Sequence, residues 1–285
     1  MPAIKLDGEL LAAEIREALK QRISTLDQHG IKPGLGTILV GNDGPSENYV
    51  AMKHRDCEEL GMHSREIKLT ETAAQEDVLS AVDSMNSDPQ IHAFIIQYPF
   101  PDGLDYESAL LEVLPYKDAD GLHPVNLGRL VQGIDAPLAC TPAGIQLLLE
   151  RFDVPIAGQH VVIIGRGLTI GRPLANLLSL KRSNANAAVT VIHTGVKNLA
   201  DYTRQADIIV AAAGSPDMIT ADMVKPGAAV VAAGVSFDGK KLLSDVSDEV
   251  EEIAGWLSPR IGGVGPMTRA LLMQNTVAAA ELTVS

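Results

Sequence analysis

Val161, Val162, Ile163 and Ile164 run without interruption into a turn that carries Gly165, Gly167 and Gly171. An unbroken β-branched run of this kind belongs to a strand covered on both faces, which is the situation inside a parallel sheet packed by helices. Glycines immediately after such a strand let the backbone come close to a pyrophosphate at the N-terminus of the following helix. The pattern therefore points to an α/β chain with a dinucleotide site. The spacing is Gly-x-Gly-x-x-x-Gly, one residue longer than the usual fingerprint, and a tight strand-to-helix turn with no ligand would call for the same glycines.

The next expected strand, Ala188 to Thr194, lies about twenty residues further on, where a site for NAD usually presents Asp or Glu to the ribose 2′-hydroxyl. This chain has His193 and Thr194 there and no acid. A carboxylate would repel the extra phosphate of NADP, whereas Thr194 and His193 offer donors and Arg166 in the turn can fork onto it. NADP is thus favoured over NAD. The plainer alternative is a solvated Arg166 and a polar strand end at His193.

With 285 residues the chain has enough surface to bury a large core and to form two domains. A net charge of −13 and a pI near 4.9 argue against nucleic acid or an anionic membrane as the main partner. Cys57 and Cys140 are far apart and belong to no Cys-x-x-Cys pair, so neither a disulfide framework nor a metal site is expected. No signal-type or membrane-spanning apolar run is present, and the expected compartment is the cytoplasm.

The periodicity predicts an opening helix over 8–28, then a strand at 35–40, a helix capped by Ser46 and running to Leu60, a strand at 64–69, a helix at 73–86 and a buried strand at 91–97. That order is βαβαβ, with a largely parallel sheet. Thr141 and Pro142 open another helix, and the domain boundary is placed there: 1–140 as an N-terminal domain, 141–266 as a Rossmann-like domain, and a C-terminal helix from 267 to 285 that returns to the first. Further strands are expected at 160–164, 189–193, 208–212 and 229–232. Gly234 to Lys241 imitates a phosphate loop but lacks the Ser or Thr after the lysine, and reads as a hairpin turn.

In the N-terminal half, Tyr49 and Lys53 are four apart on one helix face, and Gln97 ends the third strand. Ligands of open α/β sheets bind beyond the carboxyl ends of strands, and Pro99 and Pro101 keep Gln97 at that rim. Asp118 and Asp120 follow in Lys117-Asp118-Ala119-Asp120-Gly121. Each of these residues taken singly suits a surface or capping role, and only their joint placement suggests a site.

Those segments, with Cys140-Thr141-Pro142, the Gly165 turn and Gly262-Gly263-Val264-Gly265-Pro266-Met267-Thr268, closely resemble the bifunctional methylenetetrahydrofolate dehydrogenase/cyclohydrolase family in order along almost the whole chain. The resemblance implies an N-terminal α/β catalytic domain, a Rossmann-like NADP-binding domain and a folate/NADP cleft between them. It implies NADP-linked oxidation of 5,10-methylenetetrahydrofolate to the methenyl form and hydrolysis of that form to 10-formyltetrahydrofolate, in a cytoplasmic homodimer.

Lys53 is then the expected catalytic amine, because a neutral amine tolerates a cationic methenyl group while a fixed positive charge repels it. By resemblance Gln97 tunes Lys53, Tyr49 borders the folate, and Asp120 accepts hydrogen bonds from the aminopyrimidine edge, while Asp118 is structural. Gly262, Gly263 and Pro266 are implied on the substrate side, and Gly165, Arg166, Gly167, Thr194 and Val235 on the cofactor side.

The chain departs from the family pattern at Gly167, where serine is usual, at Ala232-Ala233 for Asp-Val, at Arg260-Ile261 for Val-Pro, and at Tyr98 and Phe100 for leucines. Two rivals stand beside this reading. One is a different Rossmann dehydrogenase with a histidine acid/base, for which His193 alone is available after the glycine turn. The other is a paralogue that binds folate or nucleotide and lacks one or both activities.

Overall fold

The computed structural model describes residues 2–239 and 241–284. In chain order the elements begin with β1 (Ile4–Lys5), α1 (Gly8–Gln28), β2 (Gly34–Val40), α2 (Gly44–Glu59), β3 (His63–Leu69), α3 (Gln75–Ser87) and β4 (Ala93–Ile96). There follow α4 (Tyr106–Leu111), a 3-10 turn at Pro115–Lys117, α5 (Pro124–Gln132), α6 (Cys140–Arg151), β5 (His160–Ile164), α7 (Gly171–Ser179) and β6 (Ala188–Ile192). The chain continues with α8 (Ala200–Thr203), β7 (Ile208–Ala211), β8 (Ala229–Ala232), β9 (Val235–Asp238), β10 (Lys241–Ser244), β11 (Trp256–Leu257) and α9 (Val264–Glu281).

Two compact units result: Met1–Ala12, Leu130–Ile134 and Ala139–Thr268 form one, and Ala13–Arg129, Asp135–Leu138 and Arg269–Ser285 the other. The first twelve residues fall in the same unit as Ala139–Thr268, and β1 is the reason. Ile4 and Lys5 pair in parallel with Trp256 and Leu257, which puts the start of the chain in the first unit's sheet. A two-residue strand has no periodicity to reveal it in the sequence.

The first unit is built on a six-stranded sheet in the order β1-β11-β8-β7-β5-β6, parallel at every pairing. Chain order reverses at β5, with β6 on one side and β7 on the other, and the carboxyl ends of β5 and β7 form the switch point. Val162, Ile164, Ile209 and Val230 are fully buried in one cluster, each worth about 1.5–3 kcal/mol of transfer free energy. β9 and β10 make the antiparallel hairpin expected in place of a phosphate loop, Asp238 opposite Lys241, with Lys240 outside the described residues.

The second unit contains the three-stranded parallel sheet β3-β2-β4, with Ile38 opposite both Ile67 and Ile96. β2 is buried along its whole length, as a central parallel strand should be. The helix after it begins earlier than Ser46. Asp43 is the N-cap, its carboxylate accepting the Ser46 N–H at 3.0 Å, and Pro45 sits in the first turn with φ already set for a helix. Residues 102–139 hold α4, the 3-10 turn and α5.

Buried Lys117 closes the end of α3, its ammonium donating to the carbonyls of Met85, Asn86 and Asp88 at 3.2, 2.8 and 3.0 Å. The last part of α9 belongs to this unit. Arg269 pairs with buried Asp56 at 3.1 Å, and Arg22 grips Glu281 with two hydrogen bonds of 2.8 and 2.6 Å. Cys57 and Cys140 are both buried, and burial together with the charge of Asp56 pushes the Cys57 thiol up to about 12.

Candidate active site

In the second unit α2 and β4 bring two sequence-predicted residues into contact. Lys53 Nζ donates to Gln97 Oε1 at 2.8 Å. Gln97 is held from both sides: its backbone N–H donates to Ile38 O at 2.8 Å, and its side-chain Nε2 donates to Tyr98 O at 2.6 Å. These contacts fix the carboxamide so that its oxygen faces the lysine. Tyr49 stands one turn before Lys53 on α2 and is partly exposed, leaving its ring open to a ligand. His54 is anchored to Thr37 at 3.0 Å, and burial lowers its basicity, with Glu66 opposing and the Lys53 charge assisting that shift.

The Asp118 carboxylate is buried and organises its own loop. It accepts N–H groups of Gly121 at 2.9 Å and His123 at 2.8 Å, and the side-chain amide of Asn126 at 2.9 Å. Asp118 also bridges to Phe94 of β4, and the Ala119 N–H donates to Phe94 O at 3.2 Å. The loop is thereby pinned to the strand that ends at Gln97, with half-buried Asp120 at its tip. Tyr106 was not visible as a site neighbour in the sequence. Its ring packs edge-on against Tyr98 at 5.6 Å and Phe100 at 5.5 Å, and burial, then the charge of Asp120, pushes its hydroxyl well above the usual phenol range.

In the first unit the glycine turn is a cradle that side chains would fill. Gly165 has φ +128°, and a Cβ there would lie 2.2 Å from Ala212 O; a Cβ on Gly171 would lie 2.0 Å from Gly165 O. Gly167 faces open space, and Arg166 and Thr194 are exposed. The N-cap of α7, Ile170, supplies no side-chain hydrogen bond, and because Arg172 N–H donates to Gly167 O at 3.2 Å and Pro173 has no N–H, the Gly171 N–H is the donor the helix start offers an anion. Glycine backbone, uncapped helix start, an exposed guanidinium and a hydroxyl in place of an acid fit NADP. Val235 opens β9 and is 40% exposed.

Gly262 and Gly263 also belong to the first unit, in a tight turn against which the start of α1 packs because Gly8 has no Cβ to strike Gly263 O. Gly262 O accepts the N–H of Gly8 at 2.8 Å and of Glu9 at 3.1 Å, and a Cβ on Gly263 would meet Pro259 O at 2.4 Å. Pro266 is buried in the first turn of α9. The structure thus gathers Lys53 and Gln97, with Asp120 on a loop bound to the same strand, in the second unit. Gly165, Arg166, Gly167, Thr194, Val235, Gly262, Gly263 and Pro266 lie in the first.

A parallel sheet with a glycine turn at its switch point, joined in one chain to an α/β unit bearing a lysine–glutamine pair, defines a two-domain, NADP-dependent α/β enzyme. Comparison with known proteins gives the particular family. The chain matches the models Tetrahydrofolate dehydrogenase/cyclohydrolase, catalytic domain, over residues 6–120 and Tetrahydrofolate dehydrogenase/cyclohydrolase, NAD(P)-binding domain, over residues 139–284. It is 53% identical over 281 residues to a bifunctional protein FolD of Syntrophotalea carbinolica, covering 99% of this chain and 97% of that protein.

The crystal structure of the bifunctional enzyme FolD from Campylobacter jejuni superposes with a TM-score of 0.94 at 38% identity, covering 99% of this chain and 100% of that one. The Trypanosoma brucei methylenetetrahydrofolate dehydrogenase-cyclohydrolase, solved with NADP cofactor and an inhibitor, gives 0.94 at 33% identity over 100% and 99% of the two chains. This chain belongs to the tetrahydrofolate dehydrogenase/cyclohydrolase family.

Proposed function

We propose that this protein oxidises 5,10-methylenetetrahydrofolate with NADP and hydrolyses the resulting 5,10-methenyl compound to 10-formyltetrahydrofolate, with Lys53 as the amine that serves the hydrolysis. The observation that carries the reading is the 2.8 Å hydrogen bond from Lys53 to Gln97, within the region matched to the family's catalytic domain.

When bound, NADP supplies the acceptor for a hydride from the methylene carbon. The methenyl group left behind is a cationic amidinium open to water. Lys53, as the neutral amine, takes a proton from the attacking water as its oxygen bonds to the methenyl carbon. The bond from that carbon to N5 then breaks, N5 takes up a proton, and the former hydroxyl proton is released as the formyl C=O forms. The sum is addition of one water and loss of one proton. Gln97 Oε1, accepting from Nζ, holds the amine in place while its own orientation is set by Tyr98 O and Ile38 O.

Asp120 is assigned to the pterin, whose aminopyrimidine edge offers two donors to one carboxylate, and Tyr49 to the face of the folate. Gly262, Gly263 and Pro266 are assigned to substrate binding. Arg166 and Thr194 are assigned to the 2′-phosphate of NADP, with Gly165, Gly167 and Val235 lining the dinucleotide. Against a histidine-based dehydrogenase, His193 Nδ1 accepts the Gly195 N–H at 3.1 Å and is engaged in its own turn.

We further place the enzyme in the cytoplasm as a homodimer, with no nucleic-acid or membrane partner. The charge of −13 supports the last point, and among the described residues no helix is long and apolar enough to cross a membrane. Light scattering on a sizing column checks the dimer. The deciding assay follows reduced-cofactor absorbance with methylenetetrahydrofolate and NADP or NAD, and separately the decay of methenyltetrahydrofolate without cofactor. NADP-linked reduction plus methenyl decay that is lost in Lys53→Ala supports both activities. Folate binding without turnover in either assay would move the protein to the non-catalytic alternative.

A further inference from the structure

We infer that Asp245, a carboxylate given no role in the reaction above, is a positioning residue for the cofactor: it holds the loop after β7 in the shape that forms one wall of the dinucleotide site. Asp245 is fully buried. Its Oδ2 accepts the backbone N–H groups of Ala213 at 2.7 Å and Gly214 at 3.0 Å, and its Oδ1 accepts that of Ser215 at 2.7 Å. Successive N–H groups converging on one anion fix a loop more firmly than neutral turn contacts do, because each bond is charge-assisted.

The loop stands where a ligand must pass. Ala212 N–H donates to Ile164 O at 2.7 Å, so the loop leaves β7 directly beside the end of β5. The Ala212 carbonyl is the group that a Cβ on Gly165 would strike at 2.2 Å, and a Cβ on Gly214 would lie 3.8 Å from Val235 O. Residues 212–215 therefore sit between the glycine turn and the start of β9, at the switch point where open α/β sheets bind their ligands. With its three N–H groups committed to Asp245, the loop is set in place before any ligand arrives, which lowers the ordering cost of binding.

Gly234 shows how closely the acid is built in. A Cβ at that position would fall 1.9 Å from Asp245 Oδ2, so Gly234 is the space the carboxylate occupies. Asp245 itself enters the site from the segment after β10, whose Ser244 O and Asp245 O accept the N–H groups of Asp217 and Ile219 at 2.9 Å each. Asp245 thus ties the loop after β7 through its carboxylate and the end of β8 through its backbone N–H, which donates to Gly234 O at 3.4 Å, to the end of β10.

The inference rests on the NADP reading, and the test separates the two. Asp245→Asn keeps the shape but turns an N–H group against an N–H group, and Gly234→Ala displaces the carboxylate without removing it. Each variant is compared with the wild type for the KM of NADP, for calorimetric NADP binding and for cofactor-free methenyl hydrolysis, which does not require the nucleotide. The expected result is a KM and a dissociation constant for NADP raised ten- to a hundredfold, with kcat at saturation and methenyl hydrolysis at wild-type rates. Unchanged NADP binding in both variants would overturn the inference. So would a parallel loss of NADP binding and methenyl hydrolysis, which marks a purely structural acid. If the wild type binds NADP but does not oxidise the folate, the activity reading fails and calorimetry still decides the role of Asp245; if it binds no NADP, both fall.

Discussion

Lys53 Nζ and Gln97 Oε1 meet at 2.8 Å although 44 positions separate the residues and one lies on α2, the other just beyond β4. β2 is the reason. Its strand pairs with β4 and its end leads into α2, so the helix that carries the lysine and the strand that presents the glutamine emerge from neighbouring positions of one sheet.

Replacing Lys53 should separate the two activities. Lys53→Met removes the proton-transferring amine, and methenyl hydrolysis should fall by about 100- to 10,000-fold. Lys53→Arg should be nearly as damaging, because a fixed charge opposes the cationic substrate. NADP binding measured by calorimetry should not change in either.

The NADP preference should depend on Arg166. Arg166→Ala should raise the KM for NADP by about tenfold and leave that for NAD nearly unaltered, because only the former carries the 2′-phosphate. Equal effects on the two cofactors would remove the guanidinium from the phosphate.

Gly167 marks a place where the chain can be improved as an NADP binder. A Cβ there meets nothing within 4 Å, so Gly167→Ser fits without strain and adds a donor to the turn. The expected outcome is a lower KM for NADP in initial-rate measurements; an unchanged or higher value would show that the hydroxyl does not reach the cofactor.

Lys117 should matter for stability and not for chemistry. Its ammonium serves three carbonyls at the end of α3, and Lys117→Met strands them in a buried setting. The cost expected from urea unfolding is about 2–3 kcal/mol. Lys20→Met, which removes an exposed pair with Glu17, should stay within about 0.5 kcal/mol.

Acid sensitivity should trace in part to Asp207. The Lys225 ammonium and the His160 N–H hold its carboxyl below the ordinary aspartate value of 3.8. A depressed folded value means that the native state favours the carboxylate. Its contribution is full above the unfolded value and is lost as pH falls through the folded one. Thermal midpoints should therefore drop less steeply below pH 3.8 in Asp207→Asn than in the wild type.

Much of the architecture was legible without coordinates. The run Val161 to Ile164 and the glycines after it announced a buried parallel strand and a nucleotide turn, because both depend on local sterics and on periodicity within a few residues. Helices α1 and α3 and strands β2, β3 and β8 fell close to their expected positions for the same reason. The start of α2 did not. Asp43 and Ser46 both suit a cap, and what decided between them was the placement of Pro45 in the first turn.

The sequence by itself determined an α/β chain with a βαβαβ half, a nucleotide-binding half and a set of candidate polar residues, since patterns of burial and turn chemistry are written locally. Only the tertiary structure decided which of those residues meet. It paired Lys53 with Gln97, gave Asp118 its loop-building contacts, placed Tyr106 beside Tyr98, and joined β1 to β11 across some 250 positions of chain. It also exposed Asp245, whose sequence surroundings carry no signal. A contact between distant segments depends on strand order and loop course, and those are settled by packing the whole chain at once.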